Sequence, residues 1–257
     1  MEFLCSNVHY FYYDTESFFR NSRAAGFHCA ELYLGTPHIF IDGRTIDDFS
    51  GIPKLAEAYG VRIKAVHPET LSFRYGLCCL DRQWNQKSRE AYKRCIDYAA
   101  EIGADRLDTD LTGGFRDQDR ERILQSSVEN LRELIEYGRE KHVSVALEAA
   151  ESELQGFITG LEQMRQFDRL LSDDRLLIGV NREVMELAGE TLEQWETAFG
   201  RQRIAYIRTD DPQKLAIEKM ADEGFDGDVI LFHAGDTYLE EPFALDRLAG
   251  KEVSRWG

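Results

Sequence analysis

The chain has little proline, five residues in 257, and no glycine-, serine- or proline-rich run, which excludes collagen-like repeats, low-complexity tails and long disordered linkers. No stretch approaches the roughly eighteen apolar residues of a membrane-spanning helix. The start, MEFLCSNVHYFYYDTESFF, lacks the basic residues, apolar segment and small-residue cleavage site of a secretory signal. Positive charge is also short: 47 acidic against 31 basic residues leave −16, spread without an acidic block. Such a surface repels phosphate backbones and argues against nucleic acid as a partner. The five cysteines, Cys5, Cys29, Cys78, Cys79 and Cys95, are odd in number, include a vicinal pair and show no zinc-ligand spacing. They fit reduced thiols in a cytoplasmic protein.

What the chain does have is a rhythm. Short β-branched or apolar runs alternate with longer segments of helical period. The runs centre on Phe3–Val8, Cys29–Leu34, Ile63–Val66, Arg106–Thr109, Val143–Leu147, Leu176–Val180, Ile204–Ile207 and Val229–Phe232. Between them Ala91, Cys95, Tyr98, Ala99 and Ile102 recur at helical spacing, as do Leu124, Val128, Leu131 and Ile135. Gly26, Gly60, Gly103 and Gly224 stand where a helix hands over to the next strand. The last and weakest helix is expected at Pro242–Leu248. Strand then helix, eight times, implies parallel strands with right-handed crossovers closing into one (β/α)8 TIM barrel over residues 1–257. A doubly wound open sheet is the runner-up. Against it, no glycine-rich phosphate loop follows the first strand, and Gly113-Gly114 lacks the flanking lysine and reads as a turn.

In such a barrel chemistry belongs at the carboxyl ends of the strands. The polar residues there are His9, Glu31, His38, His67, Glu69, Asp108, Asp110, Glu148, Asn181, Arg208, Asp210 and His233. Glu148 closes the buried run Val-Ser-Val-Ala-Leu-Glu, so it must be paired, metal-bound or protonated; a salt bridge to Arg208 is the plain alternative to a site role. His67 and Glu69 leave strand three together as Val-His-Pro-Glu and suit hydroxyl binding or proton movement. We therefore expect Glu148 and His67 as catalytic residues. His38, Glu69, Asn181, Arg208 and His233 are expected to bind substrate. Asp210 and Asp211 read equally well as caps of a helix starting near Pro212 and stay outside the site.

The segment Gly26-Phe-His-Cys-Ala-Glu31-Leu-Tyr-Leu-Gly35-Thr-Pro37-His38 resembles the second strand of sugar isomerase and epimerase barrels, the xylose isomerase-like superfamily. It is most similar to fructoselysine 3-epimerase-like members. The likeness continues through Pro68-Glu69-Thr70, Tyr75, Asp81, Arg89-Glu90 and Ala100-Glu101-Ile102-Gly103-Ala104. The resemblance implies a divalent metal held by Glu, Asp, His and Glu on strands five to eight, stabilising an enediolate while the two glutamates move the proton. Carried over singly, the first glutamate falls on Glu148, the aspartate on Asn181, the histidine on Ile207 or Arg208, and the last glutamate on Phe232. The accessory histidine falls on Val184. One ligand of four is kept, so the expected metal complement is none, with Glu148 able to hold a divalent ion only weakly.

Two functions follow from this pattern. One is an isomerase- or epimerase-like protein acting on a carbohydrate-like small molecule, with Arg208 standing in for a cation. The other is a catalytically inactive barrel that binds a metabolite or a partner protein; self-association stays open. Hydrolysis of glycosides by a carboxylate pair is weaker, since Glu148 has no evident mate. The superfamily's metal-dependent DNA-repair branch is disfavoured by charge and by the missing ligands.

Overall fold

The computed structural model of the protein describes residues 1–39, 41, 51–70, 76–151, 156–211, 215, 217–222 and 224–232. The strands are β1 (Phe3–Ser6), β2 (Cys29–Leu34), β3 (Arg62–Pro68), β4 (Arg106–Thr109), β5 (Ser144–Glu148), β6 (Leu177–Asn181), β7 (Ile204–Thr209) and β8 (Asp228–Leu231). They pair in parallel, each with the next in sequence, and β8 closes on β1. The barrel expected from the alternation is therefore present. Helices α1 (Thr15–Ala24), α2 (Gly51–Tyr59), α3 (Arg82–Ile102), α4 (Arg120–Lys141) and α5 (Leu161–Leu171) follow β1 to β5 in turn. The β6 crossover carries two, α6 (Arg182–Leu187) and α7 (Leu192–Phe199), and α8 (Ile217–Asp222) precedes β8. The helix expected at Pro242–Leu248 lies outside the described residues.

Boundaries differ from expectation in physically informative places. The first strand stops at Ser6, because Asn7–Tyr10 turn into a short 3-10 helix. Asn7 earns this bend by turning its side chain to the neighbouring strand, where Oδ1 accepts from the Tyr33 backbone at 2.6 Å and Nδ2 donates to the Tyr33 carbonyl at 3.2 Å. Strand β3 runs on through His67 and Pro68, two residues past the expected end, paired with Tyr33 and Leu34. Helices α3 and α4 start on side-chain caps: Asp81 accepts from Trp84 N, and Asp119 from both Glu121 N and Arg122 N. Gly103 ends α3 in the left-handed conformation at φ 73°, where a side chain would be strained. The Gly113-Gly114 segment, expected as a turn, is irregular backbone packed tightly on its neighbour: a Cβ on Gly113 would strike the backbone of Gly76.

Two apolar regions result from strand parity. The larger lies between the barrel wall and the helices, with Phe18, Leu32, Leu131, Phe167 and Ile207 among its members. The smaller fills the waist of the barrel: Leu4, Cys29, Ala65, Ala146, Tyr206 and Ile230. Tyr206 is the one large ring there, and Gly179 on β6 makes room for it, since a Cβ at that position would come within 2.2 Å of the hydroxyl edge of the phenol. Below the waist, at the strand starts, Arg106 binds Asp108 at 2.5 Å and Asp228 at 2.9 Å, and Lys64 joins Asp228 to Glu2 at 2.7 and 2.5 Å. This ionic floor takes Asp108 away from the mouth, where the sequence placed it. Buried charges persist there because each has a partner of opposite sign.

Candidate functional site at the barrel mouth

Above the waist the interior becomes ionic again, and its centre is Arg208. The side chain is buried, with 1% of its surface exposed. Its Nη1 and Nη2 donate to Glu31 Oε2 and Oε1 at 2.8 and 2.6 Å, and its Nε donates to Glu148 Oε2 at 2.8 Å. The guanidinium also lies 4.6 Å from the Phe232 ring centroid and 5.3 Å from that of Tyr206. The Tyr206 hydroxyl donates to the same Glu148 oxygen at 2.9 Å. The register choice left by the sequence is thus resolved: Arg208 faces the interior, while Ile207 packs in the outer core.

The two carboxylates that share this guanidinium titrate far apart. Burial alone would raise the Glu31 carboxyl, but the two hydrogen bonds and the charge of Arg208 outweigh it and hold the group at about 2. Glu148 receives one bond from Arg208, and its burial dominates, pushing it up to about 7. His67 stands on its other side, Nε2 3.9 Å from Glu148 Oε1. The His67 Nδ1 lies 2.8 Å from the Pro68 carbonyl, which can only accept, so the ring proton is on Nδ1 and the Nε2 lone pair faces the carboxyl. Burial, reinforced by Arg208, lowers His67 to about 4, and Tyr33 stacks on it at 5.7 Å. A neutral imidazole and a carboxyl poised near neutrality thus sit face to face, one setting suited to general acid-base work.

The remaining expected residues fall at the rim or outside it. His38 has both ring nitrogens engaged, Nδ1 with Asn7 at 3.1 Å and Nε2 with the Tyr13 carbonyl at 2.7 Å, so it fastens the loop after β1. Asn181 caps α6, its Oδ1 accepting from Val184 N at 3.2 Å. Glu69 is half-buried, and burial raises its carboxyl. His233 lies outside the described residues. Asp210 pairs with Arg182 at 2.9 Å and does not enter the site. Sequence reasoning placed Glu31 among the polar strand ends without choosing it, and it missed Tyr206. Both had a signal, because Glu31 and Arg208 are opposite charges at inward-facing positions of apolar strands, and Gly179 is a gap that the facing tyrosine fills.

The metal set that the resemblance implies is not assembled by these residues. Glu148 Oε2 and both Glu31 oxygens are taken by Arg208, Asn181 Oδ1 caps a helix, and Phe232 presents a ring. A divalent ion would have to displace or approach a guanidinium, which repels it. Among the described residues no group of three or more His, Cys, Asp or Glu is arranged to hold a metal.

The chain belongs to the Xylose isomerase-like TIM barrel family, whose model matches residues 19–240. No curated protein matches it by sequence. Among solved structures it is similar to D-psicose 3-epimerase from Clostridium cellulolyticum H10, with 13% identity over 100% of this chain and 99% of that one and a TM-score of 0.77. It is similar also to 3-keto-D-glucoside 4-epimerase from E. coli, with 14% identity over 99% of each chain and a TM-score of 0.75. An AP endonuclease of family 2 from Brucella melitensis reaches the same TM-score at 13% identity, over 93% of this chain and 96% of that one. At these identities the likeness describes the fold, and function has to be argued from the site.

Proposed function

We propose that the protein binds a carbohydrate-like small molecule in the barrel mouth and moves a proton on it, with Glu148 as base, His67 as its partner and Arg208 as the positive charge of the site. The observation that carries this reading is the division of labour between two buried carboxylates on one guanidinium. The guanidinium binds Glu31 twice, and that group stays ionised and fixes Arg208 in place, whereas it binds Glu148 once, and burial holds that carboxyl at about 7. In the step proposed, Glu148 takes a proton from a carbon next to a carbonyl, and the electron pair of that C–H bond moves onto the carbonyl oxygen. Arg208 stabilises the resulting oxyanion, since only three of its five N–H donors go to the carboxylates. Returning the proton to carbon completes an isomerisation or epimerisation. Glu69 is assigned to ligand hydroxyls at the rim, with His233 as a further expected contact, while His38 and Asn181 shape the rim through their loop and helix. The usual divalent-metal site is read as lost, its place being taken by Arg208.

The ligand class excludes nucleic acid on the ground of the −16 charge. Five free thiols, four of them buried, support a reducing cytosol as the place of action. A second reading, a catalytically silent binding barrel, is favoured by the closure of the Glu31–Arg208–Glu148 network within the protein. Incubation with ketoses, aldoses and fructosamines in D2O separates the two. Carbon-bound deuterium that appears with wild type and is lost in Glu148→Gln supports the enzyme. Ligand binding without any exchange supports the silent barrel.

A further inference from the structure

Asp110 follows β4, and its inward parity continues that of Arg106 and Asp108. The β4–β5 register pairs Asp108 with Ala146 and Thr109 with Leu147, so one step further brings Asp110 beside Glu148 on the neighbouring strand. Its residue exposure is 6%. One oxygen, Oδ2, accepts from the Thr70 hydroxyl at 2.9 Å, and Thr112 anchors the same corner by donating to the Thr70 carbonyl at 3.1 Å. The other oxygen, Oδ1, is buried without a hydrogen-bond partner among the described residues. A buried carboxylate oxygen left unpaired is costly unless a ligand supplies the donor. The negative charge of Asp110 is felt at Glu148, whose carboxyl it helps to raise, and burial holds Asp110 itself at about 6.

We infer that Asp110 is a second ligand-contacting carboxyl of the mouth, its Oδ1 accepting a hydrogen bond from a hydroxyl of the polyhydroxylated molecule held against Glu148. The inference rests on the proposed ligand class and names the group that recognises it. Glu148 acts on the carbon skeleton, while Asp110 fixes a neighbouring hydroxyl from the adjacent strand. The Thr70 hydroxyl occupies Oδ2, which leaves Oδ1 as the oxygen open to the ligand. The second glutamate that the resemblance implies falls on Phe232 after strand eight, whereas here the carboxylate beside Glu148 comes from the end of strand four.

Calorimetric titration of wild type, Asp110→Ala and Thr70→Val with D-fructose, D-glucose and D-glucitol tests this. Wild type is expected to bind at least one of them. Asp110→Ala should weaken that binding about tenfold or more, the loss of a hydrogen bond to a charged group. Thr70→Val removes only the donor on the Oδ2 side and should stay within about threefold. Binding by Asp110→Ala equal to wild type overturns the inference and leaves the proposed function standing, as does an equal loss in both variants. Absence of binding by wild type overturns both. Should Asp110→Ala fail to fold, the Asp110 13Cγ resonance of wild type decides: it moves on saturation with the bound sugar, and a resonance that stays put overturns the inference.

Discussion

Replacing Arg208 with methionine keeps the stem and removes the charge that two buried carboxylates share. Wild-type Glu31 titrates at about 2 against an ordinary 4.5, worth about 3 kcal/mol at roughly 1.4 kcal/mol per pH unit. The folded value is the lower one, so this stability is present above 4.5 and lost as pH falls towards 2. In the variant the sign reverses. Glu31, fully buried and with no other donor among the described residues, has its folded value raised by burial above 4.5. It is then stable only when protonated, and that stability drains away as pH rises. Breaking a buried ion network by removing one partner costs about 3–5 kcal/mol. For a chain of this length that lowers the melting temperature by roughly 6–9 °C near pH 8. At pH 5 protonating Glu31 costs little, and the deficit should shrink to about half. Urea unfolding of both proteins at pH 5 and pH 8 measures this. A deficit below about 1 kcal/mol, or one equal at both pH values, refutes the placement of Arg208 as the cation of two buried carboxylates.

Three further outcomes follow from the same geometry. Glu148 has a folded value near 7, above its ordinary 4.5, so its stabilising protonated form is fully present below 4.5 and is lost as pH rises through 7. Glu148→Gln should therefore reduce the stability lost between pH 5 and 8 by about 2–3 kcal/mol, visible as a flatter urea-midpoint profile. Tyr206→Phe removes the hydroxyl donor at 2.9 Å and should raise the Glu148 midpoint in a 13C-carboxyl NMR titration, at a stability cost of about 1–2 kcal/mol. Gly179→Ala puts a methyl into the Tyr206 ring and should destabilise by about 1–3 kcal/mol in the same unfolding assay.

The barrel was legible because its cause is local: each apolar run and each helical stripe announces itself within a dozen residues, and glycines such as Gly103 mark the handovers. Glu148 and His67 were legible for a related reason, as polar groups at the end of buried runs. The network around them was not. Glu31 and Arg208 are 177 residues apart in the chain and meet only through the parity and closure of the barrel. Boundary errors had consequences as well. Reading β1 to Val8 hid the bend at Asn7 that engages His38, a residue expected to bind ligand. Asp108 and Asp110, two apart at the end of β4, read alike in sequence; closure puts the first into the ionic floor with Arg106 and the second at the mouth.

On the proposed reading, Arg208 occupies the position of a divalent ion in this barrel. Calorimetric titration with manganese(II), cobalt(II) and zinc(II) tests it most directly. The wild-type protein is expected to show no micromolar binding and no difference from Glu148→Ala. Micromolar binding that disappears in Glu148→Ala would contradict it.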